Sequence, residues 1–159
     1  MDADGLVTIS TAAWTLWGGA FAGGDLVIVG GATTDTQAPR SFAMVRPSTA
    51  ASLATFSGTY AIVGLQYEVT SGAYTSLTGT ATADGAGSLT VAFTENKEGT
   101  ITMQPPDTVA YSVAPNGGLT VLTGGESFRG GVSPTGDYAV LGGTTTSGPV
   151  LGYFLLVRQ

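Results

Sequence analysis

The sequence predicts an all-β protein: an antiparallel meander that closes, or nearly closes, into an up-and-down β-barrel, plus an additional four-stranded half-module. Three observations carry this reading. First, residues 4–46 recur at 116–158 with a constant offset of 112 and no gap. Of the 43 aligned positions, 14 are identical: Gly5, Thr8, Thr11, Gly18, Gly19, Gly24, Asp25, Gly30, Gly31, Thr33, Thr34, Phe42, Val45 and Arg46, each with its partner 112 residues later. Internal repetition decides architecture before any local reading does. Second, turn signals return at short intervals: Asp4-Gly5, Gly23-Gly24-Asp25, Asp84-Gly85, Asn116-Gly117-Gly118 and Pro134-Thr135-Gly136-Asp137. Asn-Gly and Asp-Gly supply the positive φ that tight hairpins need. Third, the segments between these turns alternate with period two, and no stretch of ten or more residues has helical periodicity.

The half-module comes first, with strands expected at about 5–11, 14–22, 25–33 and 40–46. Through the repeat they match strands five to eight of the complete module. Pro47 to Ser52 reads as a junction, so the expected divisions are 1–46, 47–55 and 56–159. The complete module is expected to hold eight strands, at about 58–69, 75–83, 87–96, 107–114, 118–123, 126–133, 137–145 and 150–158. In the first, Ala61, Val63, Leu65, Tyr67 and Val69 form an apolar face opposite Tyr60, Gly64, Gln66 and Glu68. Leu89, Val91 and Phe93 alternate with Ser88, Thr90 and Thr94, and Val109, Tyr111 and Val113 with Thr108, Ala110 and Ser112. Eight meandering strands suffice to close a barrel, while a two-sheet β-sandwich is the alternative. Gly130-Gly131 and Gly142-Gly143 suit corners where backbones approach closely. Four strands alone leave two open edges, so the half-module is expected to join the sheet of the full module or to pair with another chain.

Composition narrows function by exclusion. With 43% hydrophobic and 10% charged residues the chain is expected to fold. A net charge of -6, with four arginines and Lys97 as the sole lysine, gives no footprint for nucleic acid. No apolar run approaches the roughly 20 residues of a spanning helix, and no basic stretch followed by an apolar core marks a signal peptide. A membrane β-barrel would call for a lumen richer in charge. Cysteine and histidine are both absent, which removes disulfides, thiolate or imidazole metal sites and the commonest general base. Most acids stand in predicted turns: Asp4, Asp25, Asp84, Asp137 and the Glu95–Glu98 loop. Asp2 and Asp4 begin no calcium loop, since the distal ligands do not follow. No enzyme activity, catalytic residue, metal or cofactor is expected.

Ser57-Gly58-Thr59-Tyr60 opens the complete module and Arg158 ends it. This resembles the calycin-type barrels (lipocalins and avidins), with tyrosine in place of the usual tryptophan. The resemblance implies an aromatic on the first strand packed under an arginine from the last, and a cup for a small apolar ligand. The Gly-Thr-Tyr opening, the Asp-Gly-Ala-Gly hairpin and the Ser-Pro-x-Gly-Asp hairpin also look like repeat domains of secreted bacterial proteins. Arg46 corresponds to Arg158, so Tyr60, Arg158 and Arg46 are read as structural residues, the arginines packing by cation–π contact. Trp14 and Trp17 stand where the full module has Glu126 and Arg129, and mark a candidate interface or ligand face. Thr78, Thr80 and Thr82 form a row with the look of an ordinary exposed sheet. The expected function is that of an extracellular or cell-surface structural module, self-associating through sheet edges into an oligomer, array or filament. The alternative is a barrel that binds a small apolar ligand or a glycan.

Overall fold

The structure, a computed structural model, describes residues 5–11, 14–33, 39–124, 126–144 and 150–159. The chain forms two compact units, residues 1–46 and 47–159.

The first unit is one antiparallel sheet of four strands in sequence order, β1 (Leu6–Ser10), β2 (Trp14–Phe21), β3 (Leu26–Thr33) and β4 (Pro39–Val45). Ile9 pairs with Leu16, and Gly18 with Val29, which puts Ile9, Leu16, Gly18 and Val29 on one face. Leu16 and Val29 are buried there, while Leu6, Trp17 and Phe21 of the other face are exposed.

The second unit contains β5 (Ser57–Glu68), β6 (Ala73–Asp84), β7 (Ser88–Lys97), β8 (Thr100–Met103), β9 (Asp107–Val113), β10 (Gly118–Thr123), β11 (Glu126–Val132), β12 (Tyr138–Thr144) and β13 (Val150–Arg158). The order is β6-β5-β13-β12-β11-β10-β9-β7, and β6 pairs with β7 to close an eight-stranded antiparallel barrel. Closure excludes the sandwich. The eight barrel strands agree with expectation to within one or two residues at most ends. β8 is an extra strand that expectation did not include. It extends from the far half of β7, pairing Thr94–Lys97 with Thr100–Met103, and all four of its residues are exposed.

Hairpin chemistry explains the connections. The Asp84 carboxylate accepts hydrogen bonds from the backbone N–H groups of Ala86, Gly87 and Ser88 at 2.7, 2.9 and 2.9 Å. Asn116 Oδ1 accepts from Gly118 N at 3.0 Å in the β9–β10 turn. Within the barrel, a Cβ on Gly130 would overlap the carbonyl of Val140, and one on its repeat partner Gly18 would overlap that of Ile28. Both glycines therefore answer the same close strand approach in the two copies.

One strand faces the opposite way from expectation. β5 turns Tyr60 and Ile62 inward, and exposes Val63 and Leu65 at 48% and 49%. The reason lies across the ladder. Leu156 pairs with Ile62 and Phe154 with Gly64, and a Cβ on Gly64 would come within 2.5 Å of the Phe154 ring. The inner face is thus small where its neighbour is large, and the more regular apolar alternation lies outside. The core itself runs through Phe56, Tyr60, Ile62, Leu89, Tyr111, Leu119, Val121, Phe128, Leu141 and Leu156.

Candidate functional site

The barrel is stoppered at one end. Residues 47–55, expected as a junction, are tied to the β9–β10 turn: Ser48 N donates to Asn116 O at 3.2 Å and Ala51 N to Pro115 O at 3.0 Å. A single helical turn at Leu53–Thr55 leads into Phe56, which is fully buried. The Phe56 ring lies 4.8 Å from Tyr60 and 5.2 Å, edge to face, from Tyr111. Both phenols are satisfied, Tyr60 Oη donating to Gly136 O at 2.8 Å and Tyr111 Oη to Phe56 O at 2.8 Å. Burial pushes both phenol pKa values up, and in Tyr60 the neighbouring Arg158 opposes the shift.

Arg158 clamps this stopper. Its guanidinium stands 5.6 Å from the Tyr60 ring centroid and donates through Nη2 to Ser57 O, Thr55 O and Tyr60 Oη at 2.8, 3.1 and 3.2 Å. Nη1 reaches Thr135 O at 3.3 Å and Asp137 Oδ1 at 3.4 Å, while the buried Nε has no partner among the described residues. Arg46 repeats part of the arrangement, with Nη1 3.3 Å from Asp25 Oδ1 and Nη2 donating to Gly23 O at 2.6 Å. The backbone copies it too: Arg46 N donates to Asp25 O, and Arg158 N to Asp137 O. A fixed Gly-Asp turn and a strand-ending arginine thus form one device used twice.

Among the described residues the other end of the barrel is open. Pairing registers place Gln66, Asp107, Thr123 and Glu126 at the ends of β5, β9, β10 and β11 away from the stopper. With Gln104, Pro105 and Pro106, which join β8 to β9, they border a cavity of about 480 Å³. Its interior is apolar, lined by residues such as Ile62, Leu77, Val91, Val109, Phe128 and Phe154. Phe128 and Phe154 meet edge to face at 5.4 Å. At the mouth Gln104 Nε2 donates to Glu95 Oε2 at 2.8 Å. Beside it lies a shallower depression bordered by Gln66, Glu68, Thr75, Glu95 and Lys97. There Lys97 Nζ sits 2.8 Å from Glu68 Oε2, a contact that lowers the Glu68 pKa and raises that of Lys97.

The remaining expected residues lie elsewhere. Trp17 is on β2, paired with Thr8 and Gly30, and 63% exposed. Position 14 is three residues away on the same strand, in register with the opposite face, and the Trp14 side chain lies outside the described residues. Asp2 and Asp4 also lie outside them. Thr78, Thr80 and Thr82 point outward from β6, and Thr82 continues sideways through Thr59, Thr90 and Thr108 of adjacent strands. Among the described residues no three acidic side chains gather to hold a metal ion. Comparison with protein-family models, with characterised proteins and with solved structures yields no match.

No motif in the sequence singles out the mouth residues Gln66, Gln104, Asp107 and Glu126. A signal for three of them exists. Along one face, β9 reads Tyr111, Val109, Asp107, β11 reads Val132, Gly130, Phe128, Glu126, and β5 reads Tyr60, Ile62, Gly64, Gln66. Each inner stripe turns polar at the same end of the barrel.

Proposed function

We propose that this chain is a structural interaction module, secreted or displayed at a cell surface, which associates with copies of itself through the edges of its half-module. One comparison carries the reading. In the barrel β10 pairs on both sides, with β9 and β11, and β13 with β12 and β5. Their repeat counterparts β1 and β4 each pair on one side only among the described residues. An edge strand offers its outer N–H and C=O groups to an incoming strand. The ladder identifies the groups on β4. Arg46 N bonds to Asp25 O across the β3–β4 pair, so by alternation the outward N–H groups are those of Ser41, Ala43 and Val45.

Strand number favours a second copy as partner. Two four-stranded meanders related by a two-fold axis place β4 of one beside β1 of the other, antiparallel, and complete eight strands. Eight is also the number that closes the second unit. A chain with only 10% charged residues offers little repulsion against such pairing.

Light scattering on a chromatography column, across a concentration series, tests this. The expected result is a dimer or larger species. Ala43→Pro removes one outward N–H and leaves the β3–β4 bonds in place, so it should shift the chain toward monomer with its strand content intact. A strict monomer at the highest attainable concentration would overturn the proposal.

A further inference from the structure

We propose that the open end of the barrel binds a small amphiphile with an apolar chain and a neutral or cationic hydrogen-bond-donating head, and that it disfavours carboxylates. The site lies within the second unit and does not depend on edge pairing.

The volume of about 480 Å³ falls within the roughly 300–1,000 Å³ typical of small-molecule sites. Depth and mouth differ in chemistry. The depth is aliphatic and phenylalanine side chains, which offer water no partners and leave sugar hydroxyls unsatisfied. That favours a hydrocarbon body over a glycan. The mouth carries Gln66, Gln104, Asp107, Thr123 and Glu126, and among the described residues no lysine or arginine lines the cavity. Gln66, Gln104 and Thr123 both donate and accept hydrogen bonds, while Asp107 and Glu126 are carboxylates that bring negative charge to the rim. Lys97, in the neighbouring depression, is held by Glu68 at 2.8 Å. A carboxylate head would therefore meet like charge with no cation to receive it, whereas a hydroxyl or ammonium head would donate into the rim.

The opposite end supplies the floor. Phe56, Tyr60 and Tyr111 are buried across the barrel there, so the cavity has its mouth at the β9 and β11 starts, and chain length should be limited by depth.

The test uses the intact chain and N-phenyl-1-naphthylamine, a neutral apolar dye that brightens out of water. Octanol, decanol, dodecanol, dodecylamine and dodecanoate compete for it at neutral pH, each below its solubility limit or micelle concentration. Saturable dye binding is expected, with displacement strengthening about fourfold per added methylene until the cavity is filled. Dodecanoate should compete about tenfold or more weakly than dodecanol. Val109→Phe places a ring into the void and should weaken dye and alcohol about tenfold, with strand content retained. Asp107→Lys, at an exposed rim position, should strengthen dodecanoate about tenfold relative to dodecanol. Absence of saturable binding, equal competition by dodecanoate and dodecanol, or dye binding indifferent to Val109→Phe would each overturn the proposal. Should Val109→Phe fail to fold, an Asp107→Lys chain with an unaltered headgroup order overturns it instead. A monomeric chain that binds dodecanol would refute edge association alone.

Discussion

Tyr60→Phe isolates the polar half of the barrel stopper. The substitution keeps the ring, and with it the 4.8 Å contact to Phe56 and the 5.6 Å approach of Arg158. What disappears is the hydroxyl that donates to Gly136 O at 2.8 Å and accepts from Arg158 Nη2 at 3.2 Å. Arg158 Nη2 retains Ser57 O and Thr55 O, so its loss is small. The Gly136 carbonyl loses its buried donor, and stranding such a group costs about 1–3 kcal/mol. A loss of about 1.5–2 kcal/mol follows, and for a unit of this length about 4 °C accompanies each kcal/mol, so Tm should fall by about 6–8 °C. The assay is thermal unfolding by circular dichroism on Tyr60→Phe, Arg158→Met and the double variant. Because the two side chains touch, the cycle should show coupling of about 1 kcal/mol. A Tm within about 1 °C of the parent, or strictly additive losses, would refute the view of the stopper as one hydrogen-bonded unit.

Three further outcomes are expected. Burial raises the phenol pKa values of Tyr60, Tyr111 and Tyr153, so the folded barrel holds protons that the unfolded chain releases first. Stability should be intact below about pH 10 and decline above it, with a shallower decline in Tyr60→Phe, as read from Tm against pH. Hydrogen bonds from Ser88, Ala86 and Gly87 lower the Asp84 pKa, so this carboxylate stabilises the fold above the ordinary aspartate range and less as pH falls through its own pKa. Asp84→Ala should therefore lower Tm at neutral pH, with the deficit shrinking in acid, and Asp84→Asn should recover part of it. Gly136 has φ +76°, and a Cβ there would overlap Thr55 O, whereas Gly72 at φ +72° meets nothing within 4 Å. Gly72→Ala should cost about 1–2 kcal/mol from backbone strain alone, and Gly136→Ala about 3 kcal/mol or more, measured by denaturant titration.

Strand positions were legible because alternation and turn chemistry coincide: Asp84-Gly85 and Asn116-Gly117 mark reversals whose side chains do bond the turn backbone. The inward face of β5 was not. Both of its faces carry apolar groups, and Ile62 wins over Val63 only because β13 sets Leu156 beside the first and leaves Gly64 opposite Phe154. β8 is not legible in the sequence because Thr100–Met103 is four exposed residues with no buried stripe to give it a period. The cavity mouth was hidden for a different cause. Gln66 and Glu126 are polar residues at strand ends, which sequence alone reads as solvent positions. Only the register of four strands shows that they border one opening.

The pairing order also dictates when each unit is able to form. Every ladder of the first sheet joins neighbours in sequence, so those four strands zip from local turns without waiting for distant chain. The barrel has no such freedom. Its seam joins β5 to β13, and the clamp on Tyr60 comes from Arg158, 98 residues later. During synthesis the first barrel strand must therefore stay unsealed until the last is made, with a long loop closure ahead of the final step. One repeated sequence thus stands in two settings, as a local sheet at the front of the chain and as a local arc whose last strand makes the long-range seam of the barrel.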